Sequence, residues 1–170
     1  MVKKQESKME HVWAPWRMKY IQETSEKGCF FCRGVNAEDN AENLIVKRGK
    51  FAFVMLNRYP YTSGHLMVVP YAHEAAMENL SIETKTEMMV LITQAIQVLT
   101  DEYGAEGFNV GANLGATAGA GVADHLHFHV VPRWGGDTNF MTTVGNARVL
   151  PENLVDTHKR IQEHWPKETD

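Results

Sequence analysis

Short apolar runs along the chain predict a sheet of several strands. Runs rich in branched and aromatic residues predict strands at 44–47, 51–57, 65–70 and 108–114. The first two runs are separated by Arg48-Gly49-Lys50, which is typical of a hairpin. Residues 65–70 are almost continuously apolar, so we expect that strand to lie inside the sheet.

A different period predicts two helices. One apolar stripe at spacings of three and four is formed by Met88, Ile92, Ala95, Leu99 and Tyr103. Ser81 suits the N-cap of this helix and Gly104 its C-terminal end, which gives a length of about 22 residues. A second amphipathic stretch, 150–165, predicts a C-terminal helix that buries Leu154, His158, Ile161 and Trp165.

Length and composition indicate one ordinary globular domain. The chain has 170 residues, of which 44% are hydrophobic and 22% charged. We expect residues 1–10, which are polar and charged, to be a disordered tail and residues 11–170 to form a single α+β domain. Within it we expect a short helix starting near Pro15 and Trp16, and a polar loop at 33–42.

Charge and hydropathy argue against two classes of partner. The net charge of −4 offers no general attraction to nucleic acid or to an anionic membrane. No apolar run approaches the roughly 20 residues that span a bilayer. We therefore expect a cytoplasmic protein with neither nucleic acid nor membrane as a partner.

The most informative stretch is 124–133, in which three histidines alternate with apolar residues. Because side chains on extended backbone alternate between faces, a strand would place His125, His127 and His129 on one side of the sheet. Imidazole serves as a nucleophile, a proton donor and a metal ligand near neutral pH. The cluster indicates catalysis, with a surface histidine ladder or a plain metal site as alternatives.

The only two cysteines, Cys29 and Cys32, form a Cys-x-x-Cys motif. In a reducing compartment this motif is half of a metal site or a redox pair. A redox pair is expected at the N-terminus of a helix in a βαβ unit, whereas the flanking Gly28 and Gly34 are more typical of a metal knuckle. A metal site would need two further ligands from histidine or carboxylate side chains.

A loop of small residues, 115–122, leads into the histidines. Without bulky side chains, its backbone N–H groups could point at an anion such as a phosphate group. The alternative interpretation is a flexible linker. The loop is not a Walker motif, because no Lys-Ser or Lys-Thr follows it.

The pattern His125-Leu-His127-Phe-His129-Val-Val resembles that of the histidine triad (HIT) family of nucleotide hydrolases and transferases. Asn57 and Gly64-His65 upstream match the same family, and the likeness covers most of the chain. Within the family, the chain resembles the bacterial branch related to diadenosine tetraphosphate phosphorylases and hydrolases. This finer resemblance rests on Trp13-Ala-Pro-Trp16-Arg, the cysteine pair and residues 132–140.

The resemblance implies a fold, an assembly and a metal. The fold would be a five-stranded antiparallel sheet with one long helix packed on it and a C-terminal helix, and two copies would form a homodimer with paired sheets. In zinc-bearing members, two cysteines are joined by a histidine after the third strand and by the first histidine of the triad. Such a closed tetrahedral site would be structural, and here its ligands would be Cys29, Cys32, His73 and His125.

The resemblance also implies roles for residues near the triad. His127 would attack the α-phosphorus of an adenine dinucleoside polyphosphate, and His129 would donate to phosphate oxygens or to the leaving group. His65 would lie near the phosphates or orient a tautomer. The remaining nucleotide contacts are Asn57 at the ribose, Met55 and Met67 at the sugar and base, and Asn113 at the phosphates.

This chain departs from the family before the triad. Many members carry Gln with Ser or Thr there, whereas this sequence reads Gly119-Ala-Gly121-Val122-Ala. We therefore expect backbone N–H groups of Gly119, Gly121 and Val122 to replace side-chain donors to the leaving group. The substrate implied is diadenosine tetraphosphate, with phosphate or water as acceptor. A purine nucleoside phosphoramidase and a non-catalytic nucleotide-binding dimer are the alternatives.

Overall fold

The structure, a computed structural model, describes residues 28–35, 38–144 and 150–167. The expected tail at 1–10 and the short helix near Trp16 lie outside these ranges. The strands are β1 (Ile45–Arg48), β2 (Ala52–Leu56), β3 (Leu66–Pro70), β4 (Gly107–Gly111) and β5 (Phe128–Arg133). The α-helices are α1 (Phe30–Val35), α2 (Ile82–Tyr103), α3 (Phe140–Thr143) and α4 (Leu154–Glu163), with short 3-10 turns at Met77–Asn79 and Ala116–Ala118.

The five strands form one antiparallel sheet in the order β1-β2-β3-β5-β4. The predicted α+β fold with a five-stranded antiparallel sheet is confirmed. Met55 pairs with Met67, and Met67 pairs with His129. Because directly paired residues share a face, these three side chains form one row across the sheet.

The long helix α2 covers the opposite face of the sheet and confirms the predicted stripe. Ser81 caps it by accepting a hydrogen bond from the Thr84 N–H, and Gly104 ends it at φ +57°. Its buried side chains include Met88, Ile92, Ala95 and Leu99. Helix and sheet approach closely at Gly64, where an added Cβ would lie 2.7 Å from Leu99 Cδ2.

The C-terminal helix α4 packs beside α2 and against β1. His158 is buried, and its Nε2–H donates to the Ile45 carbonyl at 2.7 Å. Ile161 is fully buried, and Trp165 donates from Nε1 to Gln94 on α2. The predicted apolar face of this helix is therefore confirmed.

Two predicted boundaries were wrong. Residues 33–35, at the start of the polar loop predicted for 33–42, belong to helix α1. The strand expected to run to Leu114 ends at Gly111, because its partner β5 begins only at Phe128.

Among the described residues, no helix is both long enough and apolar enough to cross a membrane.

Candidate functional site

Of the three alternating histidines, only His129 lies within a strand. The sequence predicted one strand through 124–133, but β5 starts at Phe128, so His125 and His127 precede it. The reason lies in β3, whose last residue, Pro70, has no N–H for the ladder. The Leu126 N–H instead donates to the Glu74 carbonyl at 2.7 Å.

The three imidazoles divide into two groups. The rings of His127 and His129 are neighbours, with centroids 5.0 Å apart. The ring of His125 lies 5.2 Å from that of His73 and close to the cysteines. The cluster therefore separates into a pair of histidines beside the methionine row and a histidine within a group of sulfur and nitrogen ligands.

Backbone carbonyls determine which nitrogen of His127 and His125 carries the proton. His127 Nδ1 lies 2.9 Å from the His125 carbonyl, and His125 Nε2 lies 2.9 Å from the Pro70 carbonyl. Because a carbonyl only accepts, both contacting nitrogens are protonated. His127 therefore presents a lone pair at Nε2, and His125 presents one at Nδ1. Burial lowers the pKa of both rings, so the neutral form is favoured.

His129 is oriented by a chain of hydrogen bonds through His65. The Tyr61 N–H donates to His65 Nδ1 at 3.1 Å, so the proton of neutral His65 is on Nε2. That Nε2 lies 3.0 Å from His129 Nδ1, which must accept. The proton of neutral His129 is therefore on Nε2, where it can be donated. His65 is fully buried behind His129, which fits a tautomer-orienting role better than phosphate contact.

The four predicted metal ligands come together. Their ligand atoms all lie within 4.8 Å of one another. Each histidine offers its Nδ1 atom, and the two Nδ1 atoms are 3.3 Å apart. Cys29 Sγ lies 3.3 Å from Nδ1 of His125, and Cys32 Sγ lies 3.2 Å from Nδ1 of His73. Ligands of a tetrahedral zinc ion lie about 3.4–3.8 Å apart, given bonds of about 2.0–2.3 Å. The set fits such an ion, and Asp124 Oδ2 lies 3.6 Å from His73 Nε2, where it can orient the ring.

The cysteine motif lies at the start of helix α1, but this helix leads into an antiparallel sheet rather than a βαβ unit, so the placement expected of a redox pair is met only in part. Both cysteines are free thiols in the structure. The Nδ1 lone pair of His125 is directed at them, because its Nε2 is occupied by the Pro70 carbonyl. The convergence of two imidazole nitrogens on the two sulfurs favours metal binding over disulfide chemistry.

The residues expected to contact nucleotide lie near this histidine pair in the fold. Met67 is the direct neighbour of His129 in the sheet, Met55 is the next in the row, and both are almost fully buried. Asn57 follows β2, and its Nδ2 lies 3.5 Å from His65 Nδ1. Asn113 follows the end of β4 by two residues.

The small-residue loop contains a 3-10 turn at Ala116–Ala118 flanked by Gly115 and Gly119, both with positive φ. The Gly119 N–H donates to the Ala116 carbonyl, and the Ala120 N–H donates to that of Gly115. The first of these bonds occupies the Gly119 amide, which we expected to face phosphate. Gly121 and Val122 are therefore better candidate donors than Gly119, although the Val122 side chain is in the core.

Sequence reasoning missed Phe31, whose ring contacts the site. Phe31, between the two cysteines, is buried, and its ring centroid lies 4.8 Å from that of His127. The available signal was the pair of phenylalanines inside the Cys-x-x-Cys motif, because two large apolar side chains are more typical of a segment packed on a core than of an exposed loop.

The sheet, the oriented histidine pair and the adjacent cluster of potential metal ligands are those of a histidine triad protein. Residues 38–136 match the family model described as the HIT domain, and the chain belongs to this family. Similarity extends to a curated relative from Mycobacterium tuberculosis named AP-4-A phosphorylase, which is 40% identical over 96% of this chain and 88% of that protein.

Two further proteins, one known by sequence similarity and one by structure, are similar to this chain. An adenosine 5′-monophosphoramidase of Schizosaccharomyces pombe is 33% identical over 62% of this chain and 74% of that protein. A zinc-bound histidine triad family protein from Mycobacterium smegmatis superposes with a TM-score of 0.64 at 24% identity, covering 80% of this chain and 91% of that one. This last likeness shows the shared fold.

Proposed function

We propose that this protein cleaves diadenosine tetraphosphate by transferring its AMP group to His127 and then to inorganic phosphate. The observation that carries the proposal is the arrangement of His127, which is buried, neutral and tied at Nδ1 to a carbonyl. This arrangement leaves Nε2 as a fixed nucleophile. The similarity to an AP-4-A phosphorylase over nearly the whole chain supports both the substrate and phosphate as acceptor.

In the first step, His127 Nε2 forms a bond to the α-phosphorus and the bridging P–O bond breaks, releasing ATP. The Nδ1–H bond to the His125 carbonyl stabilises the positive charge that develops on the ring. His129 Nε2–H donates to a phosphate oxygen or to the departing oxygen, since its Nδ1 is occupied by His65. In the second step, a phosphate oxygen attacks the same phosphorus, the P–N bond breaks, and ADP is released.

The nucleotide would lie along the methionine row. Met55 and Met67 would contact the sugar and base, Asn57 the ribose hydroxyls, and Asn113 the phosphates. The amides of Gly121 and Val122, with that of Gly119 if its turn opens, would face the leaving group.

The proposal also includes a metal ion, a cellular location and an assembly. A structural zinc ion would be held by Cys29, Cys32, His73 and His125, whose donor types and spacing fit it; elemental analysis should find about one zinc per chain. We place the protein in the cytoplasm, because a reducing compartment would keep these thiols available for the ion. The active form would be a homodimer, which the open edge of β4 allows.

The test is to incubate the protein with diadenosine tetraphosphate, with and without inorganic phosphate, and to identify products by chromatography. We expect ADP and ATP only when phosphate is present, whereas AMP and ATP would identify hydrolysis. His127→Ala should lose turnover but retain nucleotide binding, and His164→Ala, at the exposed end of α4, should match the wild type.

The phosphoramidase alternative is tested with an adenosine phosphoramidate in the same assay, because the Schizosaccharomyces pombe relative is named for that activity. Faster turnover of this compound would replace the proposed substrate. Binding without turnover of either compound would leave a nucleotide-binding dimer.

A further inference from the structure

Phe31 connects the metal-ligand set to the nucleophile. It lies between Cys29 and Cys32 and is 1% exposed. Its ring contacts two members of the triad: His127, with centroids 4.8 Å apart and planes at 43°, and His125, at 5.3 Å and 62°. The cysteine motif thus places an aromatic ring directly on the histidine that we assign as nucleophile.

The hydrogen bond that fixes the His127 tautomer also comes from a residue of the metal-ligand set. Its Nδ1–H is held by the carbonyl of His125, a residue of the metal-ligand set. His125 is in turn anchored by the Pro70 carbonyl at Nε2 and by the ligand cluster at Nδ1. The tautomer of His127 therefore depends on His125, which is one of the four potential metal ligands. The plane of the His127 ring depends on Phe31, which lies between two other potential ligands, the cysteines.

Among the described aromatic groups, the only other ring in contact with His127 is that of His129, with planes at 75°. Phe31 and His129 are thus the two rings that border the imidazole. Without the Phe31 ring, rotation about the Cβ–Cγ bond of His127 would become easier, and the Nδ1–H bond that fixes Nε2 toward the phosphorus would be lost part of the time.

The geometry points to Phe31 as a positioning residue for His127, through which the metal-binding loop sets the orientation of the nucleophile. This inference rests on the proposed function for its kinetic consequence, but not for its structural one. It gives the metal centre a second role beyond attaching the N-terminal segment to the sheet, because loss of the loop would release the nucleophile as well.

The experiment compares Phe31→Leu with Phe30→Leu in the full-length zinc-loaded protein. Both variants remove one phenyl ring from α1, but the Phe30 ring contacts Phe31 and Arg33 rather than His127. Turnover of diadenosine tetraphosphate gives kcat and KM. Long-range ¹⁵N–¹H spectra of the histidine rings report the tautomer of His127, and elemental analysis reports zinc.

We expect Phe31→Leu to lower kcat by about 10- to 100-fold with KM changed less than about twofold, since misplacing a reacting group by about 1 Å has effects of this size. Zinc content should be unchanged, and the Nδ1–H signature of His127 should weaken or become a mixture of tautomers. Phe30→Leu should resemble the wild type in all three measurements. Equal kcat values and identical His127 spectra for the two variants would overturn the inference.

A second variant covers the case in which Phe31→Leu fails to fold or loses zinc. Phe31→Met retains most of the side-chain volume but not the flat ring. A folded, zinc-bound Phe31→Met with a mixed His127 tautomer supports the inference, whereas one with the wild-type tautomer contradicts it. The spectra also separate the two proposals: a wild-type protein without turnover rejects the proposed function, while its His127 spectrum still tests Phe31.

Discussion

His65 and His129 are kept neutral by their surroundings. Burial, and secondarily the proximity of other histidines, lowers the pKa of His65 to about 3 and that of His129 to about 4. Both have an ordinary pKa of 6.5 in the unfolded chain. As the pH falls below 6.5, the unfolded chain therefore binds protons that the folded chain refuses, and the folded state loses stability.

This linkage predicts a different pH dependence for His65→Gln. Each such histidine contributes a slope of up to about 1.4 kcal/mol per pH unit between its folded and unfolded pKa values. In urea unfolding between pH 7 and pH 5, we expect the wild type to lose stability more steeply than His65→Gln. The comparison between variants matters because acid also protonates the metal ligands. A His65→Gln slope equal to that of the wild type would contradict the neutral assignment.

For the individual residues of the site, the sequence predicted which side chains lie together but not which ring nitrogens carry the protons. A period of two placed His127 beside His129, and the family pattern brought His73 to the cysteines. Backbone groups of Pro70, Tyr61 and His125 select the tautomers of His125, His65 and His127, and through His65 that of His129. Their positions depend on the folded chain, and no residue-type signal marks a carbonyl as an acceptor.

Among the elements, the β1–β2 hairpin is bound to helix α2 by one carboxylate. Glu87 accepts hydrogen bonds from three consecutive amides, those of Lys50, Phe51 and Ala52, at 2.5–2.8 Å. Its carboxylate also fills the space above Gly49, where an added Cβ would lie 2.7–2.9 Å from it. The turn therefore depends on a residue about 36 positions away in the sequence.

We expect Glu87→Gln to destabilise the fold by about 2 kcal/mol, because hydrogen bonds to a charged group contribute about 1.5–3 kcal/mol and the glutamine NH₂ cannot accept from an amide. Glu83→Gln, one turn earlier on the same helix and fully exposed, should have a smaller effect. Urea denaturation at pH 7 measures both. A Glu87→Gln variant as stable as Glu83→Gln would show that the turn forms without the carboxylate.

The elements themselves were predictable where local periodicity decides them. Helix α2 has the predicted bounds because the stripe, the Ser81 cap and the Gly104 end agree. The start of β5 and the end of β4 were not predictable, since they depend on where Pro70 interrupts the ladder across the sheet. Helix α1 was missed because six residues carry too little periodicity to distinguish a helix from a loop.

For the whole molecule, the sheet has an exposed edge at β4 that can pair with a second copy. Among the residues that the structure describes, β4 bonds only to β5, and Asn109, Val110 and Gly111 are exposed. Val110 pairs with Val130 and so lies on the face that α2 covers. Helix α2 itself exposes Met89 and Val90. An open strand edge with apolar side chains is an unusual feature for a monomer, since it favours pairing with another chain.

If β4 forms the dimer interface, Val110→Lys should shift the protein toward monomer, because a buried unpaired ammonium would face the partner strand. The matched control is Val155→Lys on α4, where valine is equally apolar and even more exposed. Sedimentation velocity at micromolar concentration should give twice the chain mass for the wild type and for Val155→Lys, and the mass of one chain for Val110→Lys. A monomeric wild type would reject the homodimer, and a dimeric Val110→Lys would move the interface away from β4. Because β4 and β5 are paired directly up to His129, loss of the dimer should also reduce turnover if the edge strand supports the site.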